Sequence, residues 1–148
     1  YTKSATIHKL LETTKGAIGE YICASALLEL GWRVSLAQQD KIDIFTWKDD
    51  EYIRIQVRSS TIRTGDRRKP HYGFHNTFGS KEKHFPKITD YDIVCYVAIE
   101  LRKCIFKSIQ EIDSKKIRVK PEEFKKENIE FLTFEKSLET FRNRRCYG

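Results

Sequence analysis

Two short segments, Ile42-Asp43-Ile44-Phe45-Thr46-Trp47 and Tyr52-Ile53-Arg54-Ile55-Gln56-Val57-Arg58, are rich in β-branched and aromatic residues and are separated by the polar run Lys48-Asp49-Asp50-Glu51. Their period-two patterning predicts two strands, and the short polar break predicts a hairpin. Closing the hairpin symmetrically about Asp49-Asp50 pairs Ile42 with Val57, Ile44 with Ile55 and Thr46 with Ile53, a face that belongs in a core. On the other face the same register sets Asp43 opposite Gln56, with Cβ atoms roughly 4.5–5.5 Å apart. An aspartate between two isoleucines runs against strand propensity, and a breach of local preference marks a candidate functional position. Gln56 and Arg58, two residues apart on one strand, share its face. The alternative for these three residues is an ordinary solvent-facing sheet surface.

The flanking sequence supplies layers for this hairpin. From Gly16 to Leu30, apolar residues recur at three- and four-residue spacings (Ala17, Tyr21, Ala24, Leu28 and Ile18, Ile22, Ala26), which predicts a helix buried on much of its circumference. Gly31 stops it, and Trp32 to Leu36 alternates as a strand. The run Tyr91 to Ile99 is apolar enough for an internal strand covered on both faces, with Cys104-Ile105-Phe106 as its hairpin partner. The C-terminal third reads as a polar stretch from Pro121 to Asn128, a short apolar run Phe131 to Phe134 and a helix near Leu138 to Phe141. The fold class is α/β, ordered α-β-β-β and then further strands and helices, with a mixed central sheet flanked by helices. At 148 residues one domain spanning 1–148 is expected.

Glu20 lies among Ala17, Ala24 and Leu27 on the predicted helix, where an unpaired buried carboxylate is costly; it needs a cation or a donor, and a salt bridge is the ordinary solution. No apolar window reaches the length of a membrane span and no secretory pattern opens the chain, so a soluble, cytoplasmic protein with no membrane partner is expected. Cys23, Cys95, Cys104 and Cys146 form no C-x-x-C pair, and reduced thiols are expected rather than zinc or disulfides.

The chain carries 28 Lys plus Arg against 21 Asp plus Glu, a net +7. Most of the excess falls between Arg58 and Lys87, where Arg58, Arg63, Arg67, Arg68, Lys69, Lys81, Lys83 and Lys87 face only Asp66 and Glu82. A basic patch of this kind suits a polyanion whose condensed counterions it displaces; a solvated loop is the bland reading. The same stretch interleaves His71, Tyr72, His75 and Asn76. Lysines and histidines there suit phosphates, whereas Arg and Asn can also pair with base edges. His71, His75 and His84 lack a nearby fourth zinc ligand.

Taken together, Gly19-Glu20 on a helix, Asp43 on a strand and Ile55-Gln56-Val57-Arg58 on the next resemble the PD-(D/E)XK nuclease superfamily, in the subgroup whose third motif begins with Gln. The longer pattern, G-E-Y-I-x-A-x-x-L-L-E-x-G-W-x-V followed by D-I-F and Y-I-R-I-Q-V, is similar to homing endonucleases encoded in bacterial group I introns. The likeness covers Gly16 to Ser60 in detail and the later strands in outline. It implies a restriction-endonuclease-like core, a basic DNA-contact insertion at about 59–88, and hydrolysis of phosphodiester bonds in double-stranded DNA. It also implies Mg²⁺, with Mn²⁺ or Ca²⁺ able to take its place, held by Asp43, the Gln56 amide oxygen, the Val57 carbonyl and Glu20. Glu20, Asp43, Gln56 and Arg58 are then the catalytic set, and Arg63, Arg67, Arg68, Lys69, His71, Tyr72, His75, Asn76, Lys81, Lys83 and Lys87 the DNA contacts. Duplex cleavage by one small domain implies a homo-oligomer, a dimer or a tetramer. Arg58 stands where the family has Lys, so Arg58→Lys is expected to raise the rate. The other readings are a Holliday-junction resolvase, a restriction-type nuclease, or a non-cleaving DNA-binding module on the same scaffold.

Overall fold

A computed structural model of the chain describes residues 11–37, 39–64, 69–79 and 81–147. The predicted hairpin is present as β2 (Ile44–Lys48) and β3 (Glu51–Ser60), in the expected register, with Ile44 opposite Ile55 and Thr46 opposite Ile53. Its two-residue turn places Asp49 in the left-handed region at φ 53°, a conformation that Asp tolerates better than most residues. β1 (Arg33–Leu36) adds to the outer edge of β2. On the other side β3 runs parallel to β5 (Ile93–Ala98), which pairs antiparallel with β6 (Lys103–Ser108). The sheet is therefore mixed, ordered β1-β2-β3-β5-β6. All six residues of β5 are buried, the outcome that its unbroken apolar sequence requires.

One face of the sheet is covered by two helices, α1 (Glu12–Glu29) and the long C-terminal helix that ends the chain. Ile44, Ile53, Ile55, Val57, Ile93, Cys95 and Val97 pack there against Cys23, Ala26 and Leu27 of α1 and against Phe134, Leu138 and Phe141. α1 ends as a Schellman motif: Gly31, at φ 90°, donates its N–H to the Leu28 carbonyl, and Trp32 donates to Leu27. Trp32 then turns back into the core, its ring edge-on to Phe134 at 5.2 Å.

The other face of β5 and β6 carries a second sheet absent from the sequence reading. β4 (Tyr72–His75) pairs antiparallel with β7 (Lys116–Val119). Tyr72 and Phe74 are packed with Val94, Tyr96 and with Phe124 of the short helix α2 (Pro121–Phe124). The segment expected to be a basic insertion thus contains a buried strand. Three further expectations change. α1 begins at Glu12 rather than Gly16. The Ala17, Tyr21, Leu28 stripe faces solvent, Tyr21 being 65% and Leu28 59% exposed, because one side of a helix on a sheet has nothing to pack against. Phe131 to Phe134 belongs to the helix α3 (Ile129–Tyr147), in which Phe134 is buried while Phe131 and Leu132 point outward. None of the described helices is long and apolar enough to cross a membrane.

Helix α1 approaches β3 more closely than a side chain at position 19 permits. A Cβ on Gly19 would lie 1.7 Å from Ser59 Oγ and 2.9 Å from Ser59 Cβ. Gly19→Ala gains about 1 kcal/mol of helix propensity but incurs an overpacking cost of about 1–3 kcal/mol. We expect a net loss in urea melts, abolished or reversed when Gly19→Ala is made in a Ser59→Gly background.

Candidate functional site

The site forms where β2 leaves the ladder. Regular pairing sets Asp43 opposite Gln56, but the Asp43 N–H donates instead to the Ile55 carbonyl at 2.9 Å, and its own carbonyl accepts from Ala37 at 2.8 Å. Ile55 therefore faces both Asp43 and Ile44, which is a bulge, a device that redirects a side chain. The redirected carboxylate accepts the Val57 N–H through Oδ2 at 2.8 Å. The pairing of Ile42 with Val57 expected from symmetry is thus replaced by a side chain to main chain bond. In an extended strand N–H and C=O of one residue face the same side, so the Val57 carbonyl faces the gap that the bulge opens.

The other expected residues come from β3 and from α1. Gln56 is 7% exposed, and its Oε1 is buried with no hydrogen-bond partner among the described residues, a costly state for an amide oxygen unless something further coordinates it. Glu20 follows Gly19, which rests on Ser59 and Val57, and so enters from the helix layer. Burial, and secondarily the charge of Asp43, holds the Glu20 carboxyl above the ordinary carboxylate range. Burial raises Asp43 as well, opposed by the Val57 N–H and by the Arg58 charge. Glu20 thus senses the charge of Asp43, and Asp43 that of Arg58. Among the described residues no group of three or more His, Cys, Asp or Glu could hold a metal ion. The ligands available here are two carboxylates, one neutral amide oxygen and a main-chain carbonyl, a hard-oxygen set of low charge.

Arg58 is built in rather than loosely placed. Its guanidinium lies over the Phe78 ring at 4.8 Å and donates through Nη2 to the Thr77 carbonyl at 3.2 Å. Desolvation lowers its pKa, countered by Tyr91, Asp43 and Tyr96. A lysine would reproduce the ring contact and the bond to Thr77 less well, which argues against the rise in rate expected from its sequence position. Lys41 lies over the same ring at 5.3 Å and reaches Asp90 at 3.4 Å. Neither Lys41 nor Phe78 was singled out from sequence. The parity of Lys41 with Asp43 was the one available signal; Phe78 gave none.

The residues expected to contact a polyanion divide by burial. Tyr72 is 1% and Asn76 2% exposed. Asn76 accepts the Tyr96 hydroxyl and donates Nδ2 to the Ser114 carbonyl. His71 is buried, with Nδ1 against the Lys69 carbonyl. These three belong to the second core and its border, a correction that follows from the β4 pairing. Arg63, Lys69, His75, Lys81, Lys83 and Lys87 are exposed. Arg67 and Arg68 lie outside the described residues, as does Asp66, and Glu82 is exposed with His84 at 3.8 Å. A buried anchor missed from sequence is Asp92, which accepts from the main-chain N–H, Nε and Nη2 of Arg54 and from Nη2 of Arg144, tying β3, β5 and α3 together.

No protein-family profile matches the chain, and no curated protein sequence is similar to it. Among solved structures it is similar to a bacterial homing endonuclease, I-Ssp6803I, with TM-score 0.64 over 74% of this chain and 78% of that one, at 16% identity. At this identity the likeness establishes the fold: a mixed sheet with flanking helices, as in that homing endonuclease.

The raised carboxyl pKa values have a definite sign. The folded chain binds protons at Glu20 and Asp43 more tightly than the unfolded chain, so their ionisation lowers stability at neutral pH, and acidification through the raised values toward about 4 restores it. Asp43→Asn keeps an acceptor for Val57 and removes the charge. Without divalent ions it raises the thermal midpoint at neutral pH by roughly 2–4 °C, and the gain shrinks as pH is lowered toward that range; a fall at neutral pH refutes this.

Proposed function

We propose that the protein is a divalent-metal-dependent endonuclease of the PD-(D/E)XK type that cuts double-stranded DNA, in the manner of a homing endonuclease. The observation that carries this reading is the bulge at Asp43, whose carboxylate accepts the Val57 N–H and acts on Glu20, with Gln56 Oε1 buried and unsatisfied on the same strand as Val57. The likeness of the fold to a homing endonuclease supports it.

The donor set fits Mg²⁺, with Mn²⁺ or Ca²⁺ as substitutes, because it offers hard oxygens and leaves room for retained waters. Asp43, Gln56 and Val57 are the proposed holders, with Glu20 positioned toward a water or a second ion. A divalent ion there supplies positive charge at the scissile phosphate and acidifies water for in-line attack on phosphorus. Glu20, its carboxyl raised by burial, is the group suited to take the proton from that water through a carboxylate oxygen. Arg58 stays cationic and cannot act as base; held by Phe78 and Thr77, it balances charge on the phosphate. Arg63, Lys69, His75, Lys81, Lys83 and Lys87, with Arg67 and Arg68, furnish the phosphate contacts of the basic segment. One such site per chain cuts one strand, so a two-fold dimer, or a tetramer built from two dimers, accounts for duplex cleavage.

Nicking of supercoiled DNA in Mg²⁺ tests the reading. Asp43→Ala should lower the rate on the order of 10³-fold while gel-shift affinity is retained. Arg58→Lys should slow cleavage by roughly tenfold, the loss of one charge-assisted bond. Duplex binding with no nicking by the unaltered chain on a selected target favours a binding module over a nuclease.

A further inference from the structure

Beside the bulge lies a second cleft, of about 240 Å³, lined by Lys15, Val57, Arg58, Ser59, Arg63 and His75, with Glu12 at its rim. Its cations arrive from α1, from β3 and from the chain leading into β4. The Lys15 side chain is only 14% exposed, and its partner Glu12, 3.4 Å away, is 91% exposed, so water screens the one carboxylate that lines the cleft among the described residues. Gly73 adds no side chain to the floor: a Cβ there would meet Arg63 Nε at 3.2 Å and Lys116 Cε at 3.4 Å, so both long side chains lie across it. Burial, and then the charges of Lys116, Arg63, Lys83 and Arg58, depress the His75 pKa, a sign that several cations act on this place.

We propose that this cleft binds a phosphodiester of the DNA backbone other than the one hydrolysed, with Lys15 and Arg63 as charge partners. The proposal rests on the nuclease reading above and extends it to residues outside the catalytic set. Ser59 lies two and three residues along β3 from Val57 and Gln56, about 7–10 Å at the strand rise, which spans two or three nucleotides at about 3.4 Å of axial rise each. A strand laid along β3 then presents one phosphate to the bulge and a neighbour to the cleft. The second contact fixes the register of the first, so Lys15 and Arg63 are positioning residues.

The test is binding of the full chain to a short random-sequence duplex in EDTA, with salt varied between about 50 and 200 mM. Lys15→Gln and, separately, Arg63→Gln should each weaken binding roughly tenfold and lower the slope of log affinity against log salt by about 0.9. Lys125→Gln, the same charge change at an exposed site that does not line the cleft, should do neither. Arg63, being exposed, keeps the test valid should Lys15→Gln fail to fold. Variants indistinguishable from Lys125→Gln overturn the assignment while leaving the nuclease reading intact. Loss of duplex binding by the unaltered chain overturns both. Thermal protection by inorganic phosphate at matched ionic strength, abolished by Lys15→Gln while the DNA salt slope stays unchanged, would assign the cleft to free phosphate and overturn the backbone assignment.

Discussion

The hydrogen bond from the Val57 N–H to Asp43 substitutes for a rung of the β2–β3 ladder, and the geometry of the candidate site follows from that substitution. Had the pairing continued, residue 42 would have satisfied the Val57 main chain and the Asp43 carboxylate would have stood on the sheet surface opposite Gln56. Because β2 bulges there, a main-chain carbonyl faces an open gap and a carboxylate reaches into it. The same N–H works against the burial that raises the Asp43 pKa. The bond therefore shapes the site and moderates the charge within it.

The helix layer depends on a second constraint, the contact of Gly19 with Ser59. Only a residue without Cβ allows α1 to sit this close to β3, and the next residue, Glu20, is brought beside Asp43 as a result. Two carboxylates in partial burial raise each other's cost of ionisation, and the Arg58 charge offsets part of it on Asp43. Such a site is destabilising in isolation and becomes favourable when further positive charge arrives, the usual relation between a preorganised site and its ligand.

Arg58 joins the two halves of the molecule. It extends from β3 to the Phe78 ring and the Thr77 carbonyl, and those residues follow β4, whose Tyr72 and Phe74 are fixed in the second core. The cationic segment is thereby held against the sheet by its own buried aromatic residues. Its described lysines and Arg63 project from a folded surface, a better arrangement for meeting a regular polyanion than a solvated loop, because less conformational entropy is lost on contact.

Much of the fold was legible in the chain because it is encoded locally. The alternation of Ile42–Arg58 determined the hairpin and its register, Gly31 determined the end of α1, and the unbroken apolar run of β5 determined its place inside the sheet. The order of Glu20, Asp43 and Gln56 determined which side chains could meet. What local pattern cannot encode was settled by packing. Tyr72 and Asn76, read as surface contacts in a basic stretch, are core residues because β4 pairs with β7, a strand more than forty positions away in the chain and itself carrying no strong apolar signal. The bulge at Asp43, the clasp of Arg58 by Phe78 and the Lys15 cleft likewise depend on distances between elements, which residue periodicity does not contain. Sequence by itself determined the elements and the candidate chemistry, since period and residue type act over a few neighbours; tertiary structure alone decided which polar groups are buried without partners, since desolvation is a property of everything packed around them.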